Sequence, residues 1–242
     1  MLHKWKEYLL LGALNAAIPF CLIAVAELHI DSSMAAILNS TTPLFTALVA
    51  RIWTQDHFNL KKLLGLILGV SGVGILVGWN PQNMGTVFFI SAGLSLLAAL
   101  FIAIGGIYSS KGFKGETPLN LTIGQQIAAG LLLLPITIFF TPQKTPGGDV
   151  ILAVIGLAIL STSLAYLLYF YLIRSVGPVK TLSVTFLVPF FGILWGWLFL
   201  KESISLRTIL GLIIILLSVT FVTNIQFKLR KKHSGSALSV RK

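Results

Sequence analysis

Residues 37–50 read ILNSTTPLFTALVA. Apolar side chains flank Asn39, Ser40, Thr41 and Thr42, and Pro43 follows directly. Small hydroxyl residues and proline are poor material for a helix interior, because they compete for or remove backbone hydrogen bonds. What surrounds the stretch decides how it is read. Hydrophobic residues make up 56% of the 242-residue chain, charged residues only 10%, and the mean hydropathy is +0.92. Soluble domains carry about 25% charged residues. The few charges cluster between long uncharged runs, and about 20 apolar residues cross a bilayer as one helix. The runs are continuous and do not alternate, which selects helices over a barrel. The fold class is therefore all-α integral membrane.

Eight segments qualify as spans: 9–28, 32–53, 60–79, 84–109, 120–140, 150–173, 178–200 and 205–226. Glycine, proline and charged residues break the chain between them, as in KGFKGETP (111–118), TPQKTPGGD (141–149) and Gly177-Pro178. No break is long enough for a separate soluble domain. Cytoplasmic loops are enriched in Lys and Arg. With the N-terminus inside, 15 of the 18 basic residues fall on the inner side, leaving Lys144, Lys201 and Arg207 outside. Both termini then come out cytoplasmic. The net charge of +11 is met by anionic lipid headgroups and calls for no nucleic-acid partner. No small-residue cleavage site follows MLHKWKEY, so 9–28 is expected to be a retained span. Cys21 is the single cysteine, and it reads as a small apolar helix residue.

The chain also repeats. Displaced by 146 residues, segment 34–74 falls on 180–220 without a gap. Pro43 lands on Pro189, Phe45 on Phe191 and Gly65 on Gly211. Asp56 meets Glu202 and Lys61 meets Arg207 at equivalent loop positions. The same offset pairs 9–28 with 150–173, 32–53 with 178–200 and 60–79 with 205–226. Partners lie five spans apart, an odd number, so they cross the membrane in opposite senses. This is an inverted five-helix repeat, a construction common among secondary transporters. The organisation expected is a partial first repeat (1–79, three helices), a complete second repeat (84–226, five helices) and a basic cytoplasmic tail (227–242). The first two helices of the second copy have no counterpart at the N-terminus, which suggests an N-terminally shortened relative of a ten-span chain of about 300 residues.

The midpoints of the paired spans give the polar residues a purpose. Asn39, Thr42 and Pro43 are central in one span, and Thr185 and Pro189 are central in its mate. Asn15 and Pro19 are central in another, matched by Ser161 in the Ser161-Thr162-Ser163 run, with Tyr166 close by. Mid-depth polar groups at a repeat interface are where secondary transporters bind substrate. The expected lining is Asn15, Asn39, Thr42, Ser161, Thr185 and Tyr166, with Pro19, Pro43 and Pro189 as bends. A single Ser or Thr is more often bonded back to its own helix, and Asn often joins helices. The reading rests on the constellation and not on any one residue. Glu27, near the outer end of its span, is a candidate gate or proton site, or a solvated end residue.

Catalysis finds little support. Gly69-Val70-Ser71-Gly72 resembles the serine motif of rhomboid proteases, but His3, His29, His57 and His233 all lie in loops or tails. A nucleophilic serine needs a base within hydrogen-bond reach. No metal-binding pair and no phosphate-binding glycine loop is present, so no cofactor is expected. Two non-enzymatic classes stay open: a carrier, and a non-transporting membrane component. A channel is a weaker third.

Residues 26–77 and 175–222 together resemble EamA domains of the drug/metabolite transporter superfamily. Each has a small-residue loop, a run into a mid-helix proline, an acidic residue in a short loop and a glycine-bearing last helix. The resemblance implies an inverted-repeat carrier in a bacterial inner membrane, exporting or importing small metabolites such as amino acids or related amphiphiles by alternating access. The chain departs from that pattern in lacking the first two helices, and in carrying His57 after Asp56 where a glutamate is usual.

Overall fold

The computed structural model describes residues 4–54, 60–77, 85–139, 146–182, 187–201 and 203–223. Among them there are helices and turns and no strand. The helices are α1 (Trp5–Ala26), α2 (Ser32–Trp53), α3 (Leu60–Val77), α4 (Thr86–Gly112), α5 (Pro118–Phe139), α6 (Gly148–Val176), α7 (Pro178–Leu182), α8 (Leu187–Leu200) and α9 (Leu206–Thr223). Every expected span contains helix. The segment 178–200 is represented by α7 and α8, and the tail 227–242 lies outside the described residues. Five of the helices, α1, α2, α4, α5 and α6, are long and apolar enough to cross a membrane.

Helix breaks fall where the backbone chemistry demands them. Gly115 (φ +89°) turns the chain between α4 and α5, and Gly177 (φ +84°) ends α6 before Pro178 opens α7. Both conformations are left-handed and cost a side-chain-bearing residue energy. Within α2, residues 40–41 form a turn between Ser32–Asn39 and Thr42–Thr54.

Close contacts fix the helix directions. A Cβ on Gly69 of α3 would lie 3.0 Å from Ser218 Oγ of α9, and one on Gly72 would lie 2.8 Å from Ile215 Cγ1. As α3 advances α9 recedes, so the two run antiparallel. Adding 146 to Gly69 gives Ile215, and to Gly72 gives Ser218. The two contacts exchange into one another under the repeat offset, as a two-fold relation between α3 and α9 requires. Small residues allow this approach, and in lipid such packing replaces the hydrophobic drive between helices. By the same test α1 and α5 run parallel: Gly124 meets the Tyr8 ring and Gly12 meets Ala128.

Several charged groups meet where α4 turns into α5. Lys4 pairs with Glu116 at 4.0 Å, the Arg174 guanidinium donates to the Glu116 carbonyl, and Lys111 Nζ donates to the Trp53 carbonyl at 2.9 Å.

The mates α1 and α6 are covered differently. α1 packs between α4 and α5, with Gly12 against the α5 backbone and Asn15 against Gly105 of α4. Along the first half of α6, Gly148–Gly156 and Leu157–Leu164, no residue is buried by the protein.

Candidate functional site

The opening stretch folds as its chemistry requires. Pro43 has no N–H, so the carbonyl four residues earlier, on Asn39, loses its helical partner. Thr42 Oγ1 donates to that carbonyl and also reaches Asn39 Oδ1 at 3.3 Å. Its neighbours act alike: Ser40 Oγ donates to the Ile37 carbonyl and Thr41 Oγ1 to the Leu38 carbonyl, each at 2.6 Å. Three successive hydroxyls thus serve three successive carbonyls at the break in α2. Thr42 and Pro43 are buried and Asn39 is half-buried. Asn39 and Thr42 form this kink and are not among the residues that line the cavity described next.

That cavity, about 470 Å³, opens beside α1, α6 and α7. It brings together Asn15, Ser161 and Tyr166 of the expected lining, and adds Phe20, Tyr169 and Thr181. Thr185 lies outside the described residues, and Pro189 falls within α8. Glu27 is exposed at the end of α1 and takes no part in the lining.

Asn15 organises the site. It sits in a π-helical turn, Ala13–Ala17, and is 1% exposed. Its mate Ser161 also lies in π-helix, Leu157–Leu164. Single π turns leave backbone groups off the regular ladder and are frequent at functional sites. Within α6 the i−5 spacing is filled locally: Thr162 Oγ1 donates to the Leu157 carbonyl at 3.0 Å and Ser163 Oγ to Ala158 at 2.8 Å. In α1 the solution comes from across the repeat. Pro19, four residues after Asn15, withholds its N–H, and the Tyr166 hydroxyl of α6 donates to the Asn15 carbonyl. The two mates divide this chemistry. The residue matching Pro19 is Ala165, which keeps its N–H and donates it to the Thr162 carbonyl in its own helix. The residue matching Tyr166 is Phe20, which has no hydroxyl. The hydroxyl is present where the proline makes it necessary. Phe20 and Tyr166 face each other with ring centroids 6.5 Å apart, so the cavity lies where the repeat mates meet.

The Asn15 side chain faces α5, and Nδ2 donates to Gln125 Oε1 at 2.8 Å. Gln125, fully buried, donates in turn to Gln126 Oε1 at 3.2 Å. Asn15 Oδ1 and the Tyr169 hydroxyl are both buried, and the phenol interacts with the Asn15 side chain. Glycines on α4 make room for both. A Cβ on Gly105 would fall 2.9 Å from Asn15 Cβ, and one on Gly106 would fall 2.9 Å from the Tyr169 hydroxyl. Tyr166 and Tyr169 meet edge to face at 5.8 Å, and Phe170 extends the aromatic wall. No charged side chain lines the cavity among the described residues. Sequence reading does not place Gln125, Gln126 or Tyr169 in the expected lining. It missed Gly105-Gly106, a doublet visible inside an otherwise uniform apolar helix.

Residues 1–78 and 89–224 match the EamA-like transporter family. The chain belongs to that family. Its relatives include the uncharacterized transporter YoaV of Bacillus subtilis (strain 168), 22% identical over 93% of this chain and 78% of its own length. Protein PecM of Dickeya dadantii (strain 3937) is 26% identical over 94% of this chain and 76% of its own. The uncharacterized inner membrane transporter YedA of Escherichia coli (strain K12) is 28% identical over 88% and 69%. A solved crystal structure superposes with a TM-score of 0.67 at 15% identity, covering 93% of this chain and 77% of that one, a likeness of fold. The EamA-family chain is thus a multi-pass membrane protein with a transporter role, and the resemblance noted in its sequence is borne out.

Proposed function

We propose that this EamA-family chain is a secondary carrier of small metabolites, amino acids or related amphiphiles, working by alternating access, with export as its direction. The observation that carries this is the meeting of the repeat mates Phe20 and Tyr166 at a cavity whose polar lining groups are uncharged. In a bilayer such groups are costly unless they serve a solute or one another. Asn15, Ser161, Tyr166 and Thr185 contact the solute. Asn39, Thr42 and Pro43, with Pro19 and Pro189, shape the bends about which the helices rock. The repeats are 1–79 and 84–226, both termini are cytoplasmic, and Glu27 stands at the outer mouth as a gate. Purified chain in proteoliposomes preloaded with an amino acid and amphiphile panel tests the reading. Saturable counterflow of at least one member, lost on Tyr166→Ala, is the expected result. A passive leak that does not saturate would refute it.

One feature favours a second reading, a non-transporting membrane component. The first half of α6 is uncovered by protein although its mate α1 is enclosed. Proteoliposomes that hold folded chain yet show no saturable flux would favour it.

A further inference from the structure

We infer that the pocket between the α4–α5 turn and the last turns of α6 holds the phosphate of an anionic phospholipid. Such a site needs only that the chain spans a bilayer, whatever solute it carries.

The pocket lies at headgroup depth. It is lined from α4 by Ser109 and Ser110, from the turn by Lys114 and Glu116, and from α6 by Ile173 and Arg174. α4 has 27 residues, so it is about 40 Å long. The hydrocarbon core is about 30 Å thick, and the ends of α4 therefore reach the headgroup region. The volume of about 240 Å³ falls below the roughly 300–1,000 Å³ of small-molecule sites. That is a size for a headgroup rather than a whole metabolite.

The donors left over are cationic. Lys114 is exposed and makes no hydrogen bond or ion pair among the described residues. Arg174 spends one N–H on the Glu116 carbonyl, and a guanidinium has five. The pocket's one carboxylate is engaged elsewhere: Glu116 Oε1 lies 4.0 Å from Lys4 Nζ, and Oε2 accepts from Asn120 Nδ2 at 3.3 Å. The Ser109 and Ser110 hydroxyls donate to the Gly106 and Ile107 carbonyls of their own helix, each at 2.8 Å. What remains to offer a ligand is a lysine from the turn and an arginine from α6. Arginine presents a planar fork to phosphate oxygens and lysine a point charge, a pair suited to one phosphate. Exposed cations hold a soluble anion weakly, because salt screens them. A lipid phosphate is fixed at the same depth by the bilayer, and basic pockets between spans bind anionic headgroups there. One phosphate shared by Lys114 and Arg174 ties α6 to the α4–α5 turn, beside the direct contact of Arg174 with Glu116.

The test is lipid titration of the purified, delipidated full chain in detergent, read by native mass spectrometry. Dioleoylphosphatidylglycerol is compared with dioleoylphosphatidylcholine, which has the same tails and no net charge, and with inorganic phosphate. A basic side chain near the membrane surface is worth about fivefold in affinity for anionic lipid. Phosphatidylglycerol should bind at least about fivefold more tightly than phosphatidylcholine, and Lys114→Gln and Arg174→Gln should each lose about fivefold of that affinity. Lys6→Gln removes the same charge from a side chain that lies over the Trp5 ring, outside the pocket, and should change affinity less than about twofold. Lys114 has no contact within the protein to lose, so its variant reports on the ligand and not on folding. Unchanged affinity in Lys114→Gln overturns the site. An equal loss in Lys6→Gln shows diffuse attraction to the whole surface and overturns it too. Equal binding of phosphatidylcholine overturns the anionic preference, and inorganic phosphate binding as tightly as phosphatidylglycerol overturns the lipid source. Absence of binding by phosphatidylglycerol overturns the inference whole.

Discussion

The bond from Tyr166 to the Asn15 carbonyl makes a quantitative prediction. In Tyr166→Phe the ring stays, with its neighbours Phe20, Tyr169 and Phe170, and only the hydroxyl goes. The Asn15 carbonyl then has neither the N–H that Pro19 lacks nor the phenol that replaced it. Leaving a buried acceptor unsatisfied costs about 1–3 kcal/mol. For a chain of this size about 2–4 °C of melting temperature accompanies each kcal/mol. The variant should therefore melt about 2–12 °C below wild type, followed by intrinsic fluorescence in detergent. Background decides the cause. Pro19→Ala returns a backbone N–H to the turn after Asn15, so in that background Tyr166→Phe should cost less than about 0.5 kcal/mol. A coupling of about 1 kcal/mol or more is what residues sharing one partner show. If Tyr166→Phe costs the same with proline or alanine at position 19, the hydroxyl does not serve the carbonyl that proline frees, and the account of the site fails.

Other outcomes follow from the same contacts. Gly105→Ala puts a methyl 2.9 Å from Asn15 Cβ and should destabilise by about 1–3 kcal/mol as overpacking does, read as a lower melting temperature. Asn15→Leu leaves Gln125 Oε1 buried without its donor. The double variant with Gln125→Leu should lose less stability than the two single losses added together, in a thermal double-mutant cycle. In a Cys21→Ser background, Lys114→Cys and Lys4→Cys should label from the same face of oriented vesicles and Glu27→Cys from the opposite face. Labelling of Glu27→Cys together with Lys4→Cys would refute the span order. Gly72→Leu, at a site where even a Cβ meets the Ile215 backbone nitrogen at 3.0 Å, should separate α3 from α9 and lower the yield of folded chain in detergent.

The fold was legible because its cause is written residue by residue. Long apolar runs give helices, and the 146-residue offset relates Gly69 and Gly72 to the partners they touch on α9. Depth was legible too, so Asn15, Ser161 and Tyr166 were placed on one cavity from their positions along the spans. Azimuth was not. Nothing in ILNSTTPL says whether a hydroxyl points into a cavity or back to its own helix, and Ser40, Thr41 and Thr42 all turn back. The link from Asn15 to Gln125 spans 110 residues and depends on α1 passing between α4 and α5. Gly105 and Gly106 act through what they lack, a property that shows only once Asn15 and the Tyr169 hydroxyl occupy the vacated space.

Pro19 and Ala165 occupy equivalent places in two rods of opposed sense, yet only one of them lacks a backbone N–H. Two identical rods would make the two end states of a rocking cycle mirror images, equal in free energy. Here the pliant joint belongs to α1 alone, and the hydroxyl that steadies it belongs to α6. Any motion that parts those helices on one side breaks that bond with no twin forming on the other. On the carrier reading such a cycle would be lopsided, favouring the opening that keeps Tyr166 against Asn15.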